Sequence, residues 1–240
     1  RKKYSIKSLK KSFSISMNDI DYEVELFGCT YEGLEYIFIY STLLCDREFL
    51  YGTPTSGYPD NALRFTIFCR GNVELLRANT YDIVHLNDWQ TALVPLLLQE
   101  ESEINTKTLF TIHNLAYQGL FSYETLNEIA IDSKYFTIDV LEFYGQMNFM
   151  KAAIAYSDAV TTVSQSYADE ILTASFGCGL DGFLRYHKNK LTGIINGIDN
   201  EHFTPSHDKL LEYPFANLTE KKLNKKHETG VFERAMDLKM

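Results

Sequence analysis

The sequence lacks any run of about 18 consecutive apolar residues, the length a membrane-spanning helix requires. Its basic start, "RKKYSIKSLKK", is not followed by the apolar stretch of a signal peptide. The four cysteines, Cys29, Cys45, Cys69 and Cys178, stand far apart, so the close pairs of zinc ribbons and redox motifs are missing. Four reduced thiols in a cytoplasm-like compartment, and a soluble chain, are expected. Basic residues are outnumbered, 23 Lys and Arg against 32 Asp and Glu, and the net charge of −9 argues against a nucleic-acid backbone or an anionic membrane as main partner. A small anionic ligand stays open, because a local site need not follow the global sign. No serine elbow, His-Glu-x-x-His metal motif or P-loop occurs. The chain also opens on Arg1 instead of Met, so a fragment or a processed product is expected, and motifs absent at either end carry little weight.

What is present is enough for a core. At 240 residues, 45% apolar and 14% aromatic, the chain suffices for one large domain or two small ones. "YEVELFGCTYEGLEYIFIYS" (22–41) has strand-like spacing on both sides of Glu32 and Gly33 and predicts a β-hairpin. "GTPTSGYPDN" (52–61) reads as a loop. "NALRFTIFCRGNVELLRAN" after it has apolar residues at 65, 68, 75 and 76, as a helix would.

From there short apolar strands alternate with helices. "YDIVHLND", "KTLFTIH", "DAVTTVS" and "KLTGIINGID" read as strands. "DWQTALVPLLLQEE" reads as a helix capped by Asp88 and kinked at Pro95. "GQMNFMKAAIAYS" puts Met147, Met150 and Ile154 on one helical face, and "SQSYADEILTAS" is a helix that Ser164 caps. This alternation predicts an α/β fold: a Rossmann-like, mostly parallel sheet with helices on both faces and a hairpin near its start. The stretch from Pro205 onward reads as helix and linker. Its cluster Lys221, Lys222, Lys225 and Lys226 is most simply a solvated face.

In open parallel sheets, ligands sit beyond the carboxyl ends of the strands. Three strands here end in polar clusters: Asn87, Asp88 and Trp89; His113 and Asn114; Asn196, Gly197 and Asp199. Singly, each has a plain reading, as a helix cap, a satisfied histidine and a turn. Together they shift the balance toward a site. "GCGLDG" (177–182) spells a dinucleotide fingerprint, but that motif needs a strand before its glycines, and residues 164–175 are helical in pattern.

The pieces that carry a family resemblance occur in order: "DREFLYG", "YPDNALRFTIFCR", "DIVHLNDWQTALVPLLL", "LFTIHNLAYQGLF", "FYGQMNFMKAAIAYSDAVTTVSQSYADEI", "FGCGLDGFL" and "GIINGIDNEHFTP". From about residue 22 onward the chain resembles bacterial glycogen synthases and plant starch synthases. The resemblance implies a GT-B glycosyltransferase of two Rossmann-like domains. Such an enzyme moves glucose from ADP-glucose, or UDP-glucose, to the non-reducing end of an α-1,4-glucan with retention. No cofactor and no metal are implied, and no nucleic-acid or membrane partner.

The chain is similar to the first, acceptor-side domain only, over 1–205, with 206–240 as an interdomain segment. The family's Lys-Thr-Gly-Gly-Leu loop is absent from its start, and the donor-binding C-terminal domain is not in it. Alone it is expected to be inactive. By similarity His113 would contact the transferred glucose as the catalytic position, with Asn114 beside it. Asp88 and Trp89 would line the cleft, Tyr51 would reach in from the loop before the long helix, and Asn196 would hydrogen-bond the sugar. "DREF" replaces the commoner Asp-Arg-Pro-Gly and "HLND" the commoner His-x-His-Asp, which bears on how Tyr51 and Asp88 are presented. A non-catalytic glucan-binding module and a sucrose-synthase-like transferase are the rival readings. The compartment implied is the cytoplasm, or the plastid stroma in a plant or alga.

Overall fold

A computed structural model of the protein describes residues 4–199, 201, 203–211, 213–222 and 225. The chain divides into two units, Arg1–Ile195 and Asn196–Met240.

The first unit opens with an antiparallel sheet of β1 (Lys7–Met17), β2 (Ile20–Tyr31) and β3 (Leu34–Tyr40), in that order. The expected hairpin is β2 and β3. Its two turn residues, Glu32 and Gly33, both have positive φ, as a two-residue turn matching the strand twist requires. In β2 Val24, Leu26 and Gly28 are buried while Glu23 and Glu25 are exposed, the alternation of a sheet with one face on the core. β1 was not expected: its start is lysine- and serine-rich. It holds because Phe13, Ile15 and Met17 alternate inward and pair with Val24, Tyr22 and Ile20.

A short helix α1 (Thr42–Cys45) and a loop lead to α2 (Asn61–Ala78), the long helix foreseen. β4 (Ile83–Asn87) follows, but the single kinked helix expected after it is not there. Trp89–Thr91 forms a 3-10 turn, α3 covers only Val94–Leu97, and a second 3-10 turn spans Leu98–Glu100. Pro95 sits in the first turn of α3, where its missing N–H costs nothing, so the chain restarts there instead of bending.

β5 (Lys107–Ile112), β6 (Leu120–Ser122), α4 (Thr125–Glu128), β7 (Glu142–Phe143) and β8 (Gln146–Asn148) come next. Met147 therefore lies on a strand of a small β6-β8-β7 sheet and not on the predicted helical face. The helix, α5 (Phe149–Tyr156), begins after Asn148, whose side chain accepts the Lys151 N–H as a cap. β9 (Ala159–Thr162), α6 (Gln165–Glu170), α7 (Asp181–Tyr186) and β10 (Leu191–Gly193) complete the unit. Ser164 caps α6 as expected, accepting the Tyr167 N–H. The strand expected through Asp199 is a ladder only over Leu191–Gly193.

β10, β9, β5 and β4 form a parallel four-stranded sheet in that order, the α/β architecture the alternation predicts. The core runs from the antiparallel sheet through α2 and α3 to β5 and α5, with Ile67, Leu93, Phe110, Ile112, Phe149 and Met150 buried. Among the described residues no helix is long and apolar enough to cross a membrane. Past Pro205 the described residues are turns and bends up to a helical stretch at Leu218, on which Lys221 and Lys222 are exposed; Lys226 lies outside the described residues.

Candidate active site at the tips of β4 and β5

β4 and β5 are neighbours in parallel register, with Asn87 opposite Thr111, so both chains leave the sheet side by side. Asp88 does not cap a helix. Its backbone N–H donates to the Thr111 carbonyl at 3.0 Å, and its carboxylate accepts the His113 backbone N–H at 2.9 Å. Asp88 sits at φ 56°, ψ −176°, a region nearly reserved for glycine, and the two bonds across to β5 hold it there.

His113 is exposed, and its Nε2 lies 2.9 Å from Asn87 Oδ1. With that oxygen as acceptor, Nε2 donates, and Nδ1 has no partner among the described residues. His113 is thus held at both its backbone and its ring, with one ring nitrogen left unbonded among the described residues. Asn114 uses its own Oδ1 to accept the Ala116 N–H at 3.0 Å, and its carbonyl accepts the Tyr117 N–H. This turn leads the chain away from β5. The next amide, Leu115 N–H, donates to the Tyr167 hydroxyl on α6 at 3.0 Å.

Trp89 is 9% exposed, buried against Phe65 with ring centroids 4.6 Å apart and near Tyr51 and Phe121. Its ring supports the site from below instead of forming an open face. Gly119 allows this. It has φ +67°, and a Cβ there would stand 2.8 Å from Trp89 Cε3. Tyr51 is 43% exposed; its hydroxyl accepts from Gln90 Nε2 at 2.7 Å, so the loop before α2 is tied to the turn that carries Asp88 and Trp89.

Gln118, buried, donates through Nε2 to the Cys178 carbonyl at 3.0 Å and accepts from Asn148 Nδ2 at 2.5 Å. The glycine-rich 177–182 segment is thereby joined to the loop after β5. It is preceded by turns, not by a strand, so the dinucleotide geometry is absent from it.

Tyr51, Asp88, Trp89, His113 and Asn114 are thus brought together, linked through the turn at 87–90. Asn196 opens the second unit, where it is exposed. Asn87, Gln90, Gln118 and Tyr167 hold this arrangement and were not singled out as binding residues. Asn87 alone had a signal, its place in the polar strand tip; all four act on partners far away in sequence.

The profile of the starch synthase catalytic domain family matches residues 1–186. The chain belongs to that family. It is 51% identical over 170 residues to a glycogen synthase of Geotalea daltonii, covering 68% of this chain and 35% of that protein. It is 40% identical over 211 residues to glycogen synthase 2 of Geobacter sulfurreducens, covering 85% and 44%. Among solved structures, the catalytic domain of starch synthase IV from Arabidopsis thaliana, bound to ADP and acarbose, superposes with a TM-score of 0.76 at 31% identity, over 93% of this chain and 48% of that one. The chain therefore spans between a third and a half of the length of these relatives. The resemblance and the fold read from the sequence both hold, and the rival readings are not favoured.

Proposed function

We propose that this chain supplies the acceptor-side part of a retaining glucosyltransferase that extends an α-1,4-glucan from ADP-glucose. On this reading 1–205 is the acceptor-side domain and 206–240 the interdomain segment, with a donor-binding domain outside this sequence. The observation that carries the proposal is His113, exposed at a strand tip and fixed there by Asn87 and Asp88, with no partner on Nδ1 among the described residues.

An unprotonated Nδ1 accepts a hydrogen bond from a glucose hydroxyl and orients the ring. It takes no part as general base. Asn114 keeps its amide N–H groups as donors to the sugar. Tyr51 offers an exposed aromatic face at the cleft, and Trp89 keeps Tyr51 and the 113–119 loop in place from beneath. Asn196 is assigned to the sugar on family similarity alone. The leaving diphosphate carries the developing negative charge, and fixed cations stabilise it; on this reading they come from the donor-binding domain. The proposed compartment is the cytoplasm.

The test is transfer of labelled glucose to glycogen. The full-length protein is expected to use ADP-glucose in preference to UDP-glucose, and the isolated 240-residue chain neither. Transfer by the isolated chain, or no transfer by the full-length protein, would contradict the proposal.

A further inference from the structure

The Arg64 guanidinium is fully buried, at 0% exposure, on the first turns of α2. Among the described residues it makes no ion pair, because Asp60, the nearby carboxylate, pairs with Arg47 at 2.5 Å. A buried charge without a direct counter-ion is costly unless its donors are all used. Here four hydrogen bonds are made, three of them to backbone carbonyls. Nε donates to the Leu43 carbonyl at 3.2 Å and Nη2 to the Leu44 carbonyl at 2.7 Å. Nη1 donates to the Leu50 carbonyl at 3.0 Å and to Asn61 Oδ1 at 2.7 Å. The Tyr58 ring lies 5.1 Å from the guanidinium carbon and adds a cation–π contact.

All three carbonyls belong to the segment that ends at Tyr51. The Tyr51 carbonyl is in turn taken by Asn61 Nδ2 at 2.7 Å and by the Tyr58 N–H at 2.9 Å. The fork therefore stitches 43–50 onto α2, and Asn61 carries the same stitch one residue further. Beyond it the Tyr51 side chain meets Trp89 and Gln90 at the strand tips. This matters because the chain between β3 and α2 has almost no regular structure of its own: only the four helical residues Thr42–Cys45 and one isolated bridge, Gly52 to Gly57.

We propose that Arg64 is a positioning residue for substrate binding, which acts by fixing the backbone that presents Tyr51 at the cleft. This rests on the function proposed above. Lysine in its place has a point charge that cannot span carbonyls spread over Leu43, Leu44 and Leu50, so it is no conservative replacement.

The experiment is a double-mutant cycle in the full-length enzyme, with Arg64→Lys, Tyr51→Ala and the pair. Arg64→Lys is expected to raise KM roughly tenfold with a smaller change in kcat, and to add less than about twofold in the Tyr51→Ala background. Effects that multiply, or a loss of thermal stability with kinetics intact, overturn the assignment. If Arg64→Lys does not fold, Asn61→Ala is put through the same cycle and the same criteria apply. Amide hydrogen exchange reads the anchor without activity: the Cys45, Asp46 and Tyr58 amides should exchange faster in the variant while those of Asp88 and His113 do not. Unchanged exchange overturns the proposal. Faster exchange in a full-length protein that transfers no glucose would support the anchor and overturn the functional reading on which it builds.

Discussion

The carboxylate of Asp88, at the end of β4, holds the backbone N–H of His113, at the end of β5, at 2.9 Å. A single side chain so joins two adjacent strand tips and sets the start of the loop that carries the candidate site.

The backbone of Asp88 makes the relationship testable. At φ 56° the position carries strain of about 1–3 kcal/mol, which glycine does not incur. Asp88→Ala keeps the strain and loses the hydrogen bond; Asp88→Gly loses the bond and the strain together. The Gly variant should therefore melt roughly 2–6 °C above the Ala variant, as followed by thermal unfolding. Equal melting temperatures would show that the strain is not there.

Two glycines with similar positive φ separate conformational cost from crowding. Gly119, at φ +67°, has Trp89 and Phe149 within 3.2 Å of a built Cβ, while Gly145, at φ +80°, has nothing within 4 Å. Gly145→Ala should cost about 1 kcal/mol, the left-handed penalty alone. Gly119→Ala should cost more, about 2–4 kcal/mol, because the tryptophan must also move. Chemical denaturation of both variants checks the order.

Asp158 ties the start of β5 to the start of β9. Its carboxylate accepts from Lys107 Nζ at 2.8 Å and from both the N–H and the hydroxyl of Thr108. Burial pushes its pKa up, but these hydrogen bonds and the lysine charge outweigh burial and bring it below the usual carboxylate value. A folded pKa below the unfolded value of about 3.9 gives stability that is present above that pH and lost as pH falls through the folded pKa. Asp158→Asn should thus be less stable than the parent at neutral pH, with the gap closing below about pH 4. A constant gap from neutral pH down to acid would contradict this.

Cys69 is completely buried on α2, and burial raises its thiol pKa to about 12. Cys45 and Cys178 are exposed, and Cys29 is partly so. Thiol labelling should modify Cys45 and Cys178 first, and Cys69 only at the rate of unfolding. The same shift has a sign in pH. Above about pH 9 the unfolded thiol ionises and the native one does not, so this contribution to stability falls as pH rises toward 12. Rapid labelling of Cys69 in the native protein would contradict its burial.

Legibility in the sequence followed the range of the interactions. Ser164 and the periodicity of α2 are local signals, and both are found as read. Met147, Met150 and Ile154 have helical spacing, yet the pairing of Met147 with Phe121 and Glu142 makes its segment a strand, a tertiary contact that periodicity cannot register. Asp88 stands where a helix cap would, but its partner is His113, 25 residues on. The polar tips of β4 and β5 were readable because apolar strands that end in Asn-Asp and His-Asn have few structural reasons to do so. What holds them, from Gln118 on Cys178 to Arg64 on Leu43 and Leu50, joins residues between 14 and 60 positions apart and leaves no local pattern.

The most direct measurement is glucose transfer from ADP-glucose to glycogen by the full-length protein carrying His113→Ala. The imidazole is exposed and held through Asn87, so its removal should leave thermal unfolding within about 1 kcal/mol of the parent. Turnover should fall by about 100-fold or more, since the group that orients the glucose is gone. A folded His113→Ala enzyme that transfers glucose at the parent rate would contradict the site.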